Sequence, residues 1–192
     1  MSKLAALDEL LELYYQFKYH KNPVLFQRLQ DVQAWQKQRM QRTHATQFAE
    51  KHNVLMAEYF LNRLYGGPDF DALAGQIARL LKYAHKAEKI IPENAIKTGT
   101  SGVNLAILAV QLDEQVAIQL LQDYPENMPL NDEMMRLTYL KLDQGEARLK
   151  QLNMLDELGK NLDKYMRSFV VYTAFKMCKG AAQKYSFQIM YE

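Results

Sequence analysis

Residues 103–110 read VNLAILAV, more than two helical turns in which Asn104 is the only polar side chain. A helix with no polar face cannot lie on a surface; it has to be wrapped by other helices. The spacing predicts a central helix from Val103 to Leu121 and, around it, an all-α bundle.

The rest of the chain supplies the wrapping. Eight glycines and five prolines fall between segments whose apolar residues recur at steps of three and four. Leu4, Leu7, Leu10, Leu11 and Tyr14 mark a first helix within residues 1–22, with acids early and Lys18 and Lys21 late. Asn22-Pro23 is a cap followed by a first-turn proline, so a second helix starts there, carries Leu25, Leu29, Val32 and Trp35, and extends to about Glu50. A third runs from Val54 to Tyr65, and Pro68-Asp69 starts a fourth with Ile77, Leu80, Leu81 and Ala84 as its stripe. IPENAIKTGTSG, residues 91–102, reads as a connector capped at Thr100 or Ser101. After a turn at Pro125–Pro129, a short helix opens at Asn131 and ends near Gly145. Leu149, Leu152, Leu155, Leu158, Leu162, Tyr165, Phe169 and Tyr172 then trace one long C-terminal helix, and Gly180 is its expected stop. Only YSFQIMYE, at the end, alternates as a strand would, and no second strand is available to pair with it. These elements make one domain over residues 1–192, a bundle of about six or seven helices: 1–22, then 23–122, then the C-terminal helices and tail of 123–192.

The totals exclude several classes of function. A formal charge of +2 in 192 residues creates no global field for nucleic acid or acidic lipid. Five lysines or arginines from Lys164 to Lys184, interleaved with tyrosines, form a local basic stretch, but no nucleic-acid motif accompanies it and that partner is not expected. One cysteine, Cys178, allows no internal disulfide and no zinc spacing. Asp8, Glu9 and Glu12 interrupt the N-terminal apolar pattern, so no secretory signal is expected. No apolar run is long enough to span a bilayer, and the expected location is cytoplasmic.

Catalytic and metal signatures are missing too. No histidine has an acid three residues before it, as di-iron bundles need, and HExxH is absent. His85-x-x-Glu88 runs in the reverse order and stands alone. KTGTSG has neither the spacing nor the preceding strand of a phosphate loop, and an N-cap explains its residues better. Cys178 has no base near it in sequence and reads as a buried thiol. The chain is therefore expected to need no metal and no cofactor, and the reading leans away from an enzyme.

WQKQRMQRTHATQ, Trp35 to Gln47, is the most informative polar stretch. Its apolar stripe thins while Lys37, Arg39, Arg42 and His44 accumulate. Trp35, Arg39 and Thr43 step by four and share one face, which suits a cation–π contact with Arg39 anchoring a carboxylate inside the protein or on a ligand. The internal structural role is the favoured one. Further on, Tyr59-Phe60-Leu61-x-x-Leu64-Tyr65-Gly66 resembles the signature of a proteobacterial family named for its FFLEELYG-type motif. Trp35-Gln36-x-x-Arg39-Met40-x-x-Thr43 is similar to that family's tryptophan-glutamine-arginine-threonine helix. Pro68-Asp69-Phe70, Ile91-Pro92 and Leu112-Asp113 follow in matching order. The resemblance covers residues 25–122 and implies no reaction, since none is established for the family. Asn62 and Arg63 stand where the family motif has two glutamates, so metal binding or acid catalysis through those positions is closed to this chain.

Two functions are expected from this. The first is a non-enzymatic interaction or scaffold protein that forms homo-oligomers or meets another protein, with Phe169, Tyr172, Phe175 and Phe187 as candidate interface residues. The alternative is a binder of a small carboxylate- or aromatic-type ligand in a pocket between helices, with Trp35, Gln36, Arg39, Thr43, Tyr59 and Tyr65 as candidate contacts. The aromatics around position 60 are expected to pack helices together rather than do chemistry.

Overall fold

The structure, a computed structural model, describes residues 2–59, 61, 65, 68–87 and 93–166. Among these every regular element is helical: α1 (Ala5–Tyr15), a 3₁₀ turn (Lys18–Lys21), α2 (Pro23–Thr43), α3 (Ala45–Ala49), α4 (Val54–Tyr59), α5 (Pro68–Ala87), α6 (Glu93–Asp123), α7 (Asp132–Leu142) and α8 (Gly145–Met166). The fold is an all-α bundle, and α6 is its axis: α1, α2, α7 and α8 all pack against it.

The start signals act as the sequence dictates. Asn22 Oδ1 accepts from the Leu25 backbone N–H at 3.1 Å, with Pro23 in the first turn. Asn131 Oδ1 accepts from that of Met134 at 2.9 Å. Each satisfies one of the four orphan donors at a helix start.

Several boundaries differ from the sequence reading, for local reasons. α1 stops at Tyr15, and Lys18 and Lys21 belong to the 3₁₀ turn, because Phe17 adopts an extended ψ of 137° that carries Tyr14, Phe17 and Tyr19 into the core together. α2 ends at Thr43 rather than near Glu50; residues 41–47 are all exposed, so no burial holds the helix straight past His44. The segment 93–102 is no connector but the first turns of α6. Ile96 buries with Leu4, Leu7 and Leu81, and Thr100 Oγ1 donates backwards to the Ile96 carbonyl at 2.8 Å instead of capping anything. A mid-helix glycine such as Gly99 costs about 1 kcal/mol against alanine, less than burying an isoleucine contributes. α7 ends at Leu142, followed by Asp143 in the left-handed conformation (φ 48°) that aspartate tolerates, and Gly145 begins α8.

The core also sits further along α6 than VNLAILAV suggests. Val103 to Ala109 is mostly half-buried, while Val116, Ala117 and Leu120 are fully enclosed by Leu25, Leu29, Val32, Met134 and Met135. α8 lies along α6 with Leu158 against Gly102, where an added Cβ would stand 3.8 Å from Leu158 Cδ2. On α8, however, Leu149, Leu152, Leu155 and Leu162 are 59%, 61%, 41% and 48% exposed. The C-terminal stripe is thus real as a pattern but only partly used inside the described chain.

Candidate functional site

The polar side chains that bury together lie where α6, α7 and α8 meet the second half of α2. Asp113 of α6 is 0% exposed. Arg148 Nη1 donates to its Oδ1 at 3.0 Å, and the Tyr65 hydroxyl donates to its Oδ2 at 2.7 Å. Arg148 lies over the Tyr139 ring, 5.5 Å from the centroid. Gln36 Nε2 donates to the Tyr139 hydroxyl, and Arg39 Nε donates to Gln36 Oε1 at 3.2 Å. The chain of contacts surfaces at Trp35, whose ring carries the Arg39 guanidinium at 5.7 Å and whose Nε1 donates to Asp132 Oδ1 at 2.9 Å. Arg42 reaches the same Asp132 oxygen at 3.4 Å.

Helix geometry explains the gathering. Trp35 and Arg39 are one turn apart, as are Gln144 and Arg148, so each pair shares a face. Gln144 extends the cluster by donating to Gln115 Oε1 at 2.7 Å.

Burial pushes the Asp113 carboxyl up, against the opposing pull of Arg148 and of the Tyr65 hydrogen bond. Burial and the neighbouring Asp113 carboxylate hold the Tyr65 phenol well above its ordinary range. Tyr139 is pushed up to about 12 by burial, with Arg148 drawing it back down. A general base must be reached by a substrate and must have a free lone pair in the right direction. Asp113 is sealed from solvent and both of its oxygens are taken. The arrangement does the work of a structural ion pair, tying Tyr65, which lies between α4 and α5, and α8 to the central helix.

Two further polar clusters pin the bundle elsewhere. Tyr14 and Tyr19 both donate to Asp71 Oδ1, at 2.5 and 3.1 Å, joining the N-terminal segment to α5, and burial raises both phenols. The buried Arg28 donates to the carbonyls of Pro125, Glu126 and Met128, clamping the turn between α6 and α7. Among the described residues, Arg28 Nε and Arg148 Nε are the buried side-chain atoms left without a partner.

Of the ligand candidates, the structure brings Trp35, Gln36 and Arg39 together directly and joins Tyr65 to them through Asp113, Arg148 and Tyr139. Thr43 closes α2 on the surface. Tyr59 lies in α4 with its side chain outside the described residues, as are the interface candidates Phe169, Tyr172, Phe175 and Phe187. A cavity of about 320 Å³ exists, but it is lined by Gln41, Phe48, Val54, Ala57, Glu58 and Leu61, not by Trp35, Arg39 or Tyr65. No group of three His, Cys, Asp or Glu side chains among the described residues could hold a metal ion, and no helix among them is long and apolar enough to cross a membrane.

Sequence reasoning missed Arg28, Asp71, Tyr139 and Arg148, and placed Asp113 only within the Leu112-Asp113 resemblance. One signal was available. Asp113 and Glu114 sit in a stretch where Val110, Leu112, Val116 and Ala117 cover most directions, so at least one acid had to be buried and therefore paired. Glu114 is buried as well, accepting from the Tyr19 backbone N–H at 2.9 Å.

A family model described as Domain of unknown function (DUF8198) matches residues 16–192. That span takes in the C-terminal third of the chain as well as the motifs of residues 25–122. No curated protein and no solved structure matches.

Proposed function

We propose that this chain, which belongs to the family described as Domain of unknown function (DUF8198), is a non-enzymatic helical interaction protein that associates with itself. The observation that carries the reading is the exposed leucine stripe of α8, Leu149, Leu152, Leu155 and Leu162. Single exposed leucines are ordinary on any surface, but a contiguous apolar strip marks a place where something binds. The buried polar groups support the same reading, because they are spent on one another: Asp113 on Arg148 and Tyr65, Arg28 on a turn, Asp71 on two tyrosines. Such pairs fix the relative position of helices, which suits a scaffold. We take the family to be the proteobacterial one with the FFLEELYG-type motif, and the protein to work in the cytoplasm. Static light scattering on the full chain tests the reading. Twice the 22.4 kDa chain mass at tens of micromolar supports it, and a monomer throughout that range contradicts it.

A second reading keeps one specific observation. The exposed Arg39 guanidinium lies 5.7 Å from the Trp35 ring centroid and is held through Nε by Gln36 Oε1. A fork held this way suits a planar carboxylate. Trp35 is the only tryptophan, so its fluorescence reports directly on that spot. Titration with benzoate and with glutamate should change the emission of the wild type and leave Arg39→Gln flat, whereas silence in both proteins removes the reading.

A further inference from the structure

The geometry points to one water molecule built into the joint between α2, α5 and the 3₁₀ turn, bound between the Asp71 carboxylate and the Gln33 amide. A small chamber lies there, with Tyr19, Gln30, Gln33 and Asp71 as its polar walls and Phe26, Leu29 and Val110 as its apolar ones. Its volume of about 10 Å³ is close to one water-sized sphere. Pockets for organic ligands start at about 300 Å³, so no such ligand fits.

The polar walls lack partners in a way that a water corrects. Gln33 is only 7% exposed, and its amide has no hydrogen-bond partner among the described residues. Unlike the sealed Arg28 Nε, it lines a space that solvent can enter. A buried amide is costly to leave unpaired. Gln30, three residues earlier on the same face of α2, has no partner either.

Asp71 has the complementary need. Burial raises the Tyr14 and Tyr19 phenols, so both keep their protons and act as donors. Both donate to Oδ1, and Oδ2 is left without a partner among the described residues. A carboxylate oxygen only accepts, so whatever completes Oδ2 must donate, whereas a glutamine amide can do either. Water donates to Asp71 and pairs with Gln33 from one position, and Gln30 lines the same space as a third partner. That is within the two to four partners a buried water needs. An ion would exchange its hydration shell for walls that are partly Phe26, Leu29 and Val110, a cost a neutral water does not meet. α2 and α5 make few direct contacts, so the water supplies a hydrogen-bonded link between them.

The test is nuclear magnetic resonance on the full chain, reading cross-relaxation between water and the methyl groups of Val110 and Leu29, which both line the chamber. The wild type should show cross-peaks at both residues with the sign of a bound water. Gln33→Met, close in shape but without the amide, should lose them while circular dichroism shows unchanged helicity. Wild-type methyl groups without cross-peaks would overturn the site whatever the variant does. Cross-peaks that survive in folded Gln33→Met would come from the exchanging proton of the Tyr19 phenol, and they too would overturn it. Cross-peaks present in choline chloride but absent in sodium chloride would assign the chamber to a cation instead of water.

Discussion

Removing Arg148 should destabilise the protein in a way that depends on pH. Arg148 is 22% exposed, while the carboxylate it faces, Asp113, is fully buried. Truncating one member of a buried pair costs about 3–5 kcal/mol, because the remaining charge is left uncompensated. The partial exposure of Arg148 puts Arg148→Ala near the lower end, about 3 kcal/mol. In a domain of this size each kcal/mol moves Tm by about 2–4 °C, so the fall at pH 7 should be about 6–12 °C. Burial already raises the Asp113 pKa in the folded state, and Arg148 opposes that rise. Without the arginine the folded pKa climbs further. A group whose folded pKa is raised contributes its full stability below the unfolded pKa and loses it as pH rises through the folded one. The gap between variant and wild type should therefore narrow steadily from pH 7 towards pH 4, as Asp113 takes up its proton. Thermal melts by circular dichroism, run on both proteins at each pH, read the gap directly and cancel unrelated acid effects. A gap that is the same at pH 7 and pH 4.5, or a loss at pH 7 below about 1 °C, would refute the assignment of Arg148 as the counter-charge. The double variant Asp113→Leu/Arg148→Met should recover much of the loss, since replacing both partners of a buried pair is often close to neutral.

Other parts of the structure make separate predictions. Gly99→Ala should raise Tm by about 2–4 °C, because Gly99 is inside α6 with open space around it and alanine is favoured there by about 1 kcal/mol; no gain would restore residues 91–102 as a loop. Asn131→Ala should cost about 1 kcal/mol in urea unfolding, the usual value of a lost N-cap, while Asn131→Asp should be nearly neutral. Arg28→Met should cost about 1.5–3 kcal/mol by removing the charged donors that hold the Pro125–Met128 turn; a loss under about 0.5 kcal/mol would mean that water replaces the clamp.

What the sequence made legible is the part governed by local rules. Asn22, Pro23, Pro68 and Asn131 mark helix starts because capping chemistry is decided within four residues. The run VNLAILAV pointed to the axial helix, but the enclosed part of that helix is Val116, Ala117 and Leu120, beside the acids Asp113 and Glu114, where no all-round apolar run marks it. The pairing of Asp113 escaped notice because Tyr65 and Arg148 lie 48 and 35 residues away along the chain; Tyr65 stood out as an aromatic that packs helices, but Arg148 by itself reads as an ordinary surface residue. Glycines 99 and 102 and Thr100 pointed to a loop by propensity, and the burial of Ile96 overrode them. The α8 leucines were readable as a stripe, yet a stripe carries no label for whether its partner belongs to the same chain.

The claim on which the rest depends is that this stripe is covered by another copy of the protein, and the concentration dependence of thermal unfolding tests it most directly. A folded dimer that unfolds to separate chains gains about 2.7 kcal/mol per hundredfold increase in concentration. Wild-type Tm should rise by several degrees between 1 and 100 μM, and that of Leu155→Asp should not. A wild-type Tm that stays fixed over the whole range would mean the leucines face water or the protein's own tail, and the account would fail.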